Sequence, residues 1–275
     1  MIYKTLKIDA GSCPGADPDY QPTLTLYLPD NTREIDENRR RPTVVVLPGG
    51  GYGFRSRREA EPIALKFLAE DCNAAILEYS VAPAVFPEAI LETAKAVALL
   101  RENAEEWHVN PEKIAVCGFS AGGHLAASYG TLWNRDFVKN HFGYTDEHKP
   151  NGMILCYPVI TSGKRTHGGS IDNLLGEKRN DPDLLELVSC EKQVTEDTPR
   201  AFIWHTFDDG AVPIQNSLLM ASALAEQNIN TELHIFPHAP HGSSLANETV
   251  YGHYDGSFDE CQVWIDMAVR WLKNI

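Results

Sequence analysis

Several short stretches of this 275-residue chain carry groups that could do chemistry together. Gly118-Phe119-Ser120-Ala121-Gly122 fits G-x-S-x-G, a pattern that sets a serine on a tight turn with its hydroxyl exposed. Small residues two positions either side of Ser120 let neighbouring backbone pass close by. Such a pentapeptide also arises by chance. Here a strand-like run, Ile114-Ala115-Val116-Cys117, enters it, and a helix-like run, Leu125-Ala126-Ala127, leaves it. That is the context a nucleophilic serine requires. A second stretch, Pro48-Gly49-Gly50-Gly51-Tyr52, directly follows the apolar run Thr43–Leu47. Consecutive glycines let backbone N–H groups face one point, where a tetrahedral intermediate would place its negative oxygen. Gly50 and Gly51, with the N–H of Ala121, are the candidate oxyanion donors. A plain glycine turn or a phosphate cradle would use the same residues, but no Lys-Ser/Thr pair follows to hold a phosphate.

A serine nucleophile needs a base, and the base needs an acid behind it. Phe207-Asp208-Asp209-Gly210-Ala211-Val212-Pro213 follows the apolar run Ala201–Thr206. Two adjacent carboxylates compete there. Asp209, three residues before Val212-Pro213, is better placed for the acid, and Asp208 for turn hydrogen bonding. Pro237-His238-Ala239-Pro240-His241-Gly242 follows the run Glu232–Phe236. His241, at the loop tip before a glycine, is the candidate base and His238 its rival. His205 and His124 also stand near these residues, and His124, one turn past Ser120, is expected to be a hydrogen-bonded packing residue.

The elements that must position these groups alternate along the chain. Tyr3–Ile8 and Thr23–Leu28 read as an antiparallel start, joined by a Gly/Pro/Asp-rich turn around Gly11–Pro18. Strands follow at Thr43–Leu47, Asn73–Tyr79, Lys113–Phe119, Met153–Tyr157, Ala201–Thr206 and Glu232–Phe236. Helices are expected over Pro87–Glu106, Ala121–Trp133, Ile214–Gln227 and Asp259–Lys273. Repeated strand–helix units predict an α/β fold with a mostly parallel sheet and helices on both faces. Residues 161–200 break the rhythm, being polar and weakly periodic around Asp183–Val188. They are expected to form an excursion partly covering the site, within one domain spanning 1–275.

Composition narrows the partners. Lys+Arg number 24 and Asp+Glu 38, a formal charge of −14, which repels phosphate backbones and anionic lipid. Nucleic acid and membrane are therefore not expected, whereas a homo-oligomer stays open. The six cysteines show no C-x-x-C pair, and Cys117 and Cys156 sit in expected strands, where thiols act as small hydrophobes. No signal segment and no apolar run of membrane-spanning length is visible, so a cytoplasmic protein is expected.

Taken together, the motifs resemble the bacterial acetyl esterase/xylan esterase branch of the α/β-hydrolases, which also contains feruloyl-esterase-like proteins. The resemblance rests on Pro48–Phe54, Arg58-Glu59-Ala60-Glu61-Pro62, Tyr79-Ser80-Val81, Gly118–Leu125, Thr206–Asp209 with Val212-Pro213, and Phe236-Pro237 with His241-Gly242. It runs from about residue 43 to the last residue. Where hormone-sensitive-lipase-like relatives carry His-Gly-Gly-Gly, this chain has Pro48 first; related sequences often have glycine where Ala239 stands. The resemblance implies the α/β-hydrolase fold, a Ser120–His241–Asp209 triad, no metal or organic cofactor, and hydrolysis of acetyl or other short acyl esters of sugars or hemicellulose fragments. Tyr52 and Phe54 are candidate substrate-binding aromatics. A peptidase would usually carry a further large domain, and an interfacial lipase an amphipathic apolar lid. A non-catalytic binding module on this fold should have lost a triad residue.

Overall fold

The computed structural model describes residues 1–11, 13 and 15–275. The turn expected around Gly11–Pro18 includes residues 12 and 14, which lie outside the described residues. Eight strands form one sheet: β1 (Ile2–Lys7), β2 (Thr23–Leu28), β3 (Arg41–Leu47), β4 (Asn73–Glu78), β5 (Val109–Phe119), β6 (Gly152–Cys156), β7 (Arg200–Thr206) and β8 (Thr231–Phe236). Their order is β1-β2-β4-β3-β5-β6-β7-β8. The pairs β1–β2 and β2–β4 are antiparallel and all others parallel.

Successive side chains of a strand point to opposite faces, so a strand covered on both sides must be apolar throughout. In β3, Val45 and Leu47 enter one core while Val44 and Val46 enter the other. The first core holds α2 (Glu88–Glu102), α3 (Ala121–Leu132) and α7 (Gln215–Glu226). The second holds α1 (Glu61–Ala69) and α8 (Trp264–Lys273). The chain leaves β3 through α1 toward β4, but leaves β5 through α3 toward β6, on the opposite face. Connections from neighbouring strands that diverge in this way open a crevice at the carboxyl edge, where ligands of open α/β sheets bind.

Some boundaries differ from the sequence expectation. β5 begins at Val109 because Val109 pairs with Arg41 across a register shift next to Pro42, which has no N–H for the ladder. The helix expected over Pro87–Glu106 ends at Glu102, and the closing helix is a 3₁₀ turn over Asp259–Val263 followed by α8. Outside residues 161–200, two helices had no sequence assignment, α1 and α4 (Asp136–Phe142). α1 buries Ile63, Ala64 and Phe67 and starts with Pro62 in its first turn, while α4 buries Val138. Residues 161–200 contain α5 (Gly168–Leu175), α6 (Pro182–Leu187) and two 3₁₀ turns. The Asp181 side chain caps α6 by accepting from the N–H groups of Asp183 and Leu184. The six cysteines are buried free thiols. Among the described residues no helix is long and apolar enough to cross a membrane.

Candidate active site

The carboxyl ends of β3, β5, β6, β7 and β8 deliver Gly49–Tyr52, Ser120, Tyr157, Asp208–Asp209 and His238–His241 to the same edge of the sheet. Ser120 closes β5 with φ 53° and ψ −116°, a left-sided conformation that costs about 1–3 kcal/mol and persists because its surroundings impose it. Its N–H donates to Cys156 O at 3.0 Å, and its carbonyl accepts from His124 and Val159 at 3.0 and 3.1 Å. The G-x-S-x-G spacing follows from the same packing. A Cβ on Gly118 would collide with the Gly122 carbonyl, and one on Gly122 with the carbonyls of Leu47 and Pro48.

The Ser120 hydroxyl donates to His241 Nε2 at 2.7 Å, and His241 Nδ1–H donates to Asp209 Oδ2 at 2.7 Å. The Asp209 side chain is fully buried. Its Oδ1 accepts from the N–H groups of Ala211 and Val212, both at 2.9 Å, which is the physical content of its offset from Val212-Pro213. Behind it stands His205, also fully buried, with Nε2 at 3.3 Å from Asp209 Oδ2 and 3.0 Å from Val212 O. Since both are acceptors, the His205 proton sits on Nε2, and Nδ1 accepts from the Ser217 hydroxyl at 2.7 Å. Burial alone would raise the Asp209 pKa. The hydrogen bonds from His205 and His241, the electrostatic pull of the His241 ring and the Val212 N–H together outweigh it and hold the carboxyl well below its ordinary value.

The two rivals are partnered with each other. Asp208 Oδ2 pairs with His238 Nδ1, and Asp208 Oδ1 accepts from the Ala239 N–H at 3.3 Å. Both side chains are exposed, and His238 leads the interactions that lower the Asp208 pKa. Asp208 was expected to make local turn bonds, but its partners lie 30 and 31 residues further on, in the loop after β8, and the local bonds to Ala211 and Val212 are made by Asp209 instead.

The glycine loop has its carbonyls engaged and some of its donors free. Gly50 (φ 129°) accepts from Gly53 and Phe54, and Gly51 (φ 63°) from Asn173 Nδ2 of α5 at 2.9 Å. Among the described residues, no acceptor pairs with the N–H of Gly50, Gly51 or Ala121. Gly50 and Gly51 border a cleft of about 250 Å³ lined also by Phe54, Arg58, Glu59, Ser120, His167 and His241, at or just below the small end of ligand sites, about 300–1,000 Å³. Ala121 opens α3, so the positive end of the helix dipole faces the same point.

Tyr52 is a correction. Its backbone takes φ 56°, its side chain is 2% exposed, and its hydroxyl donates to His124 Nδ1 at 2.9 Å. The ring turns inward and lines a separate pocket with Ser80, His124 and Ser128, and it is not among the residues lining the cleft beside Ser120. His124 passes the contact on by donating from Nε2 to Val188 O at 2.8 Å, and burial drops its pKa to about 4. Phe54, by contrast, is 64% exposed on the cleft rim.

Glu59, quoted in the resemblance but given no role from sequence, is buried at the foot of the cleft. Its Oε2 accepts from the Gly49 N–H at 2.9 Å and its Oε1 from the Tyr157 hydroxyl at 2.7 Å, and that hydroxyl accepts from the Ser244 N–H at 3.0 Å. One carboxylate therefore ties the glycine loop, the end of β6 and the loop that carries His241. Burial raises its pKa, opposed by these donors. Beneath His241 the rings continue inward: Tyr157 at 5.2 Å, Trp204 at 5.0 Å from Tyr157, and Trp264 stacked on Trp204 at 5.2 Å. Among the described residues no cluster of His, Cys, Asp or Glu could hold a metal ion.

A sheet of this order, with a serine on the turn between β5 and α3 and a glycine loop after β3, is the α/β-hydrolase fold. Within that fold the chain belongs to the BD-FAE family, which it matches over residues 24–224. It is 35% identical over 240 residues to "Endo-1,4-beta-xylanase B" of Butyrivibrio fibrisolvens, covering 86% of this chain and 36% of that protein. It is 29% identical over 262 residues to an acetylxylan esterase of Xylanibacter ruminicola, covering 92% and 50%. The chain thus spans a third to a half of the length of these two relatives. Among solved structures, an acetyl ester-xyloside bifunctional hydrolase from Caldicellulosiruptor lactoaceticus superposes with a TM-score of 0.81 at 35% identity, covering 98% of this chain and 96% of the other. A carboxylesterase from Lactobacillus plantarum superposes at 0.85 with 25% identity, covering 100% and 98%.

Proposed function

We propose that this chain hydrolyses carboxylic esters, removing acetyl or other short acyl groups from the hydroxyls of sugars such as xylan fragments. The observation that carries the reading is the line Ser120 Oγ, His241, Asp209, with 2.7 Å at each step, opening on a cleft bordered by unpaired N–H groups. In this reading His241 takes the Ser120 proton as the serine oxygen attacks the ester carbonyl. The N–H groups of Gly50, Gly51 and Ala121 hold the oxyanion, and Asp209 stabilises the imidazolium. His241 then passes the proton to the departing alcohol, and water releases the acid from the acyl-serine. The sequence of steps needs neither metal nor organic cofactor.

The sugar part of the reading is supported by the cleft and by the relatives. The cleft is small and open, and Phe54 offers an exposed aromatic face of the kind sugar rings pack on. The xylanase, the acetylxylan esterase and the bifunctional hydrolase are all named for xylan or xyloside chemistry. Residues 161–200 contribute His167 to the cleft wall and Asn173 to the glycine loop, which suits one catalytic domain over 1–275 with this excursion completing the site. The test is hydrolysis of p-nitrophenyl acetate and of acetylated xylo-oligosaccharides by the protein and by Ser120→Ala. Both activities should be nearly abolished in the variant. Activity equal to the parent's would overturn the assignment.

A further inference from the structure

Resting on that ester-hydrolase reading, the geometry points to Arg58 and His167 as the donor pair that recognises a hydroxyl-rich alcohol on the base side of the cleft. His241 must hand its proton to the departing alkoxide, so the alcohol half of the ester extends past His241 and Gly242. Arg58 borders that path. A Cβ on Gly242 would stand 3.5 Å from its Nη2.

The neighbouring arginines show what is particular about Arg58. Arg55 and Arg57 both pair with Glu78, at 2.9 and 2.8 Å. Arg58 makes no ion pair among the described residues, in a chain of net charge −14. It is held in place all the same: its carbonyl accepts from the Ser244 hydroxyl, and its guanidinium lies over the Tyr251 ring at 5.1 Å. A guanidinium so placed presents a planar set of N–H donors with no carboxylate paired to them.

His167 precedes α5 on the cleft wall. The hydroxyl of Ser170 is buried and has His167 Nδ1, at 2.8 Å, as its hydrogen-bond partner. A buried O–H must donate, so Nδ1 accepts and the ring proton sits on Nε2. That Nε2–H has no acceptor among the described residues. Burial, and the neighbouring His241, lower the His167 pKa and favour this neutral donor form. Two donors on the wall of one cleft suit the hydroxyl oxygens of a sugar ring. Glu59 and Asp209 in the same site disfavour an anionic alcohol.

The experiment compares kcat/KM on acetylated xylobiose with kcat/KM on p-nitrophenyl acetate, whose alcohol carries no further hydroxyl. The variants are Arg58→Met, which keeps a stem over Tyr251, His167→Ala and the conservative His167→Gln. The sugar-to-nitrophenyl ratio should fall about 10-fold to 100-fold in Arg58→Met and His167→Ala, and be largely restored in His167→Gln, whose amide still donates. Free xylobiose should inhibit the parent competitively, with an inhibition constant raised by a similar factor in the first two variants. An unchanged ratio, or equal losses on both substrates, would overturn the subsite and leave the hydrolase reading standing. A parent protein inactive on both substrates would overturn the two together.

Discussion

Replacing Asp209 by Asn tests the acid, the base tautomer and the choice between neighbouring carboxylates in one step. Asp209 Oδ1 accepts from two backbone N–H groups and Oδ2 from His241 and His205. An asparagine keeps its oxygen on the two backbone donors, which turns its NH2 toward His241 Nδ1. His241 must then accept at Nδ1 and carry its proton on Nε2, facing Ser120 Oγ, where it can no longer take the serine proton. The charge is lost as well. An imidazolium and a carboxylate roughly 4 Å between charge centres, at an effective dielectric near 20, attract by about 4 kcal/mol. That corresponds to about 10³ in rate, and the wrong tautomer in the serine-protease triad costs about 10⁴. We therefore expect kcat on p-nitrophenyl acetate to fall about 10³-fold to 10⁴-fold with KM little changed, in a variant whose far-ultraviolet circular dichroism matches the parent. Asp208→Asn, which breaks only the exposed pair with His238, should stay close to the parent. The same substitution has a signature in acid. A carboxyl held below its unfolded value, about 3.9, contributes stability that is present above that pH and is lost as pH falls below it. The melting-temperature gap between parent and Asp209→Asn should therefore close as pH drops below about 4. A kcat within about tenfold of the parent, or an equal loss in Asp208→Asn, would refute the reasoning.

Three further outcomes follow from the packing. Glu59→Gln sets an amide N–H2 against a donor, either the Gly49 N–H or the Tyr157 hydroxyl, so it should lower stability by about 1–3 kcal/mol in chemical denaturation and reduce kcat through the loosened glycine loop. Gly122→Ala drives a methyl group into the carbonyls of Leu47 and Pro48 and should cost at least about 1–3 kcal/mol together with most of the esterase activity. Glu92 is raised to about 7 by burial, against the donors of Ser80. Stability from its protonated form is present below about pH 4.5 and lost as pH rises through about 7, at most about 3 kcal/mol. Glu92→Gln, which stays neutral, should flatten that part of the melting-temperature profile.

The residues that sequence could place were those whose neighbours in the chain explain them. Ser120 is marked by Gly118 and Gly122, and both glycines prove to be points where backbone passes too close for a side chain. Asp209 was separable from Asp208 because the N–H groups it caps lie two and three residues further on. The strands of the inner sheet were legible because both their faces are buried. Glu59, His167 and His205 were not, since their meaning comes from partners far away in sequence or from an element of weak periodicity. Glu59 reads as one more charge among Arg57-Arg58-Glu59 until Gly49 and Tyr157 are brought to it. Tyr52 failed for a different reason: an aromatic residue after three glycines can turn either way, and its left-handed backbone sends it inward to His124.

The rings beneath His241 give the protein a built-in optical gauge. Trp204 and Trp264, two of five tryptophans, lie stacked and buried, and a single tyrosine separates them from the imidazole. Their emission, and the circular dichroism of the stacked pair, will respond to what happens at that imidazole. Formation and decay of an acyl-serine could then be followed in stopped flow without a coloured substrate, on any ester that gives no signal of its own.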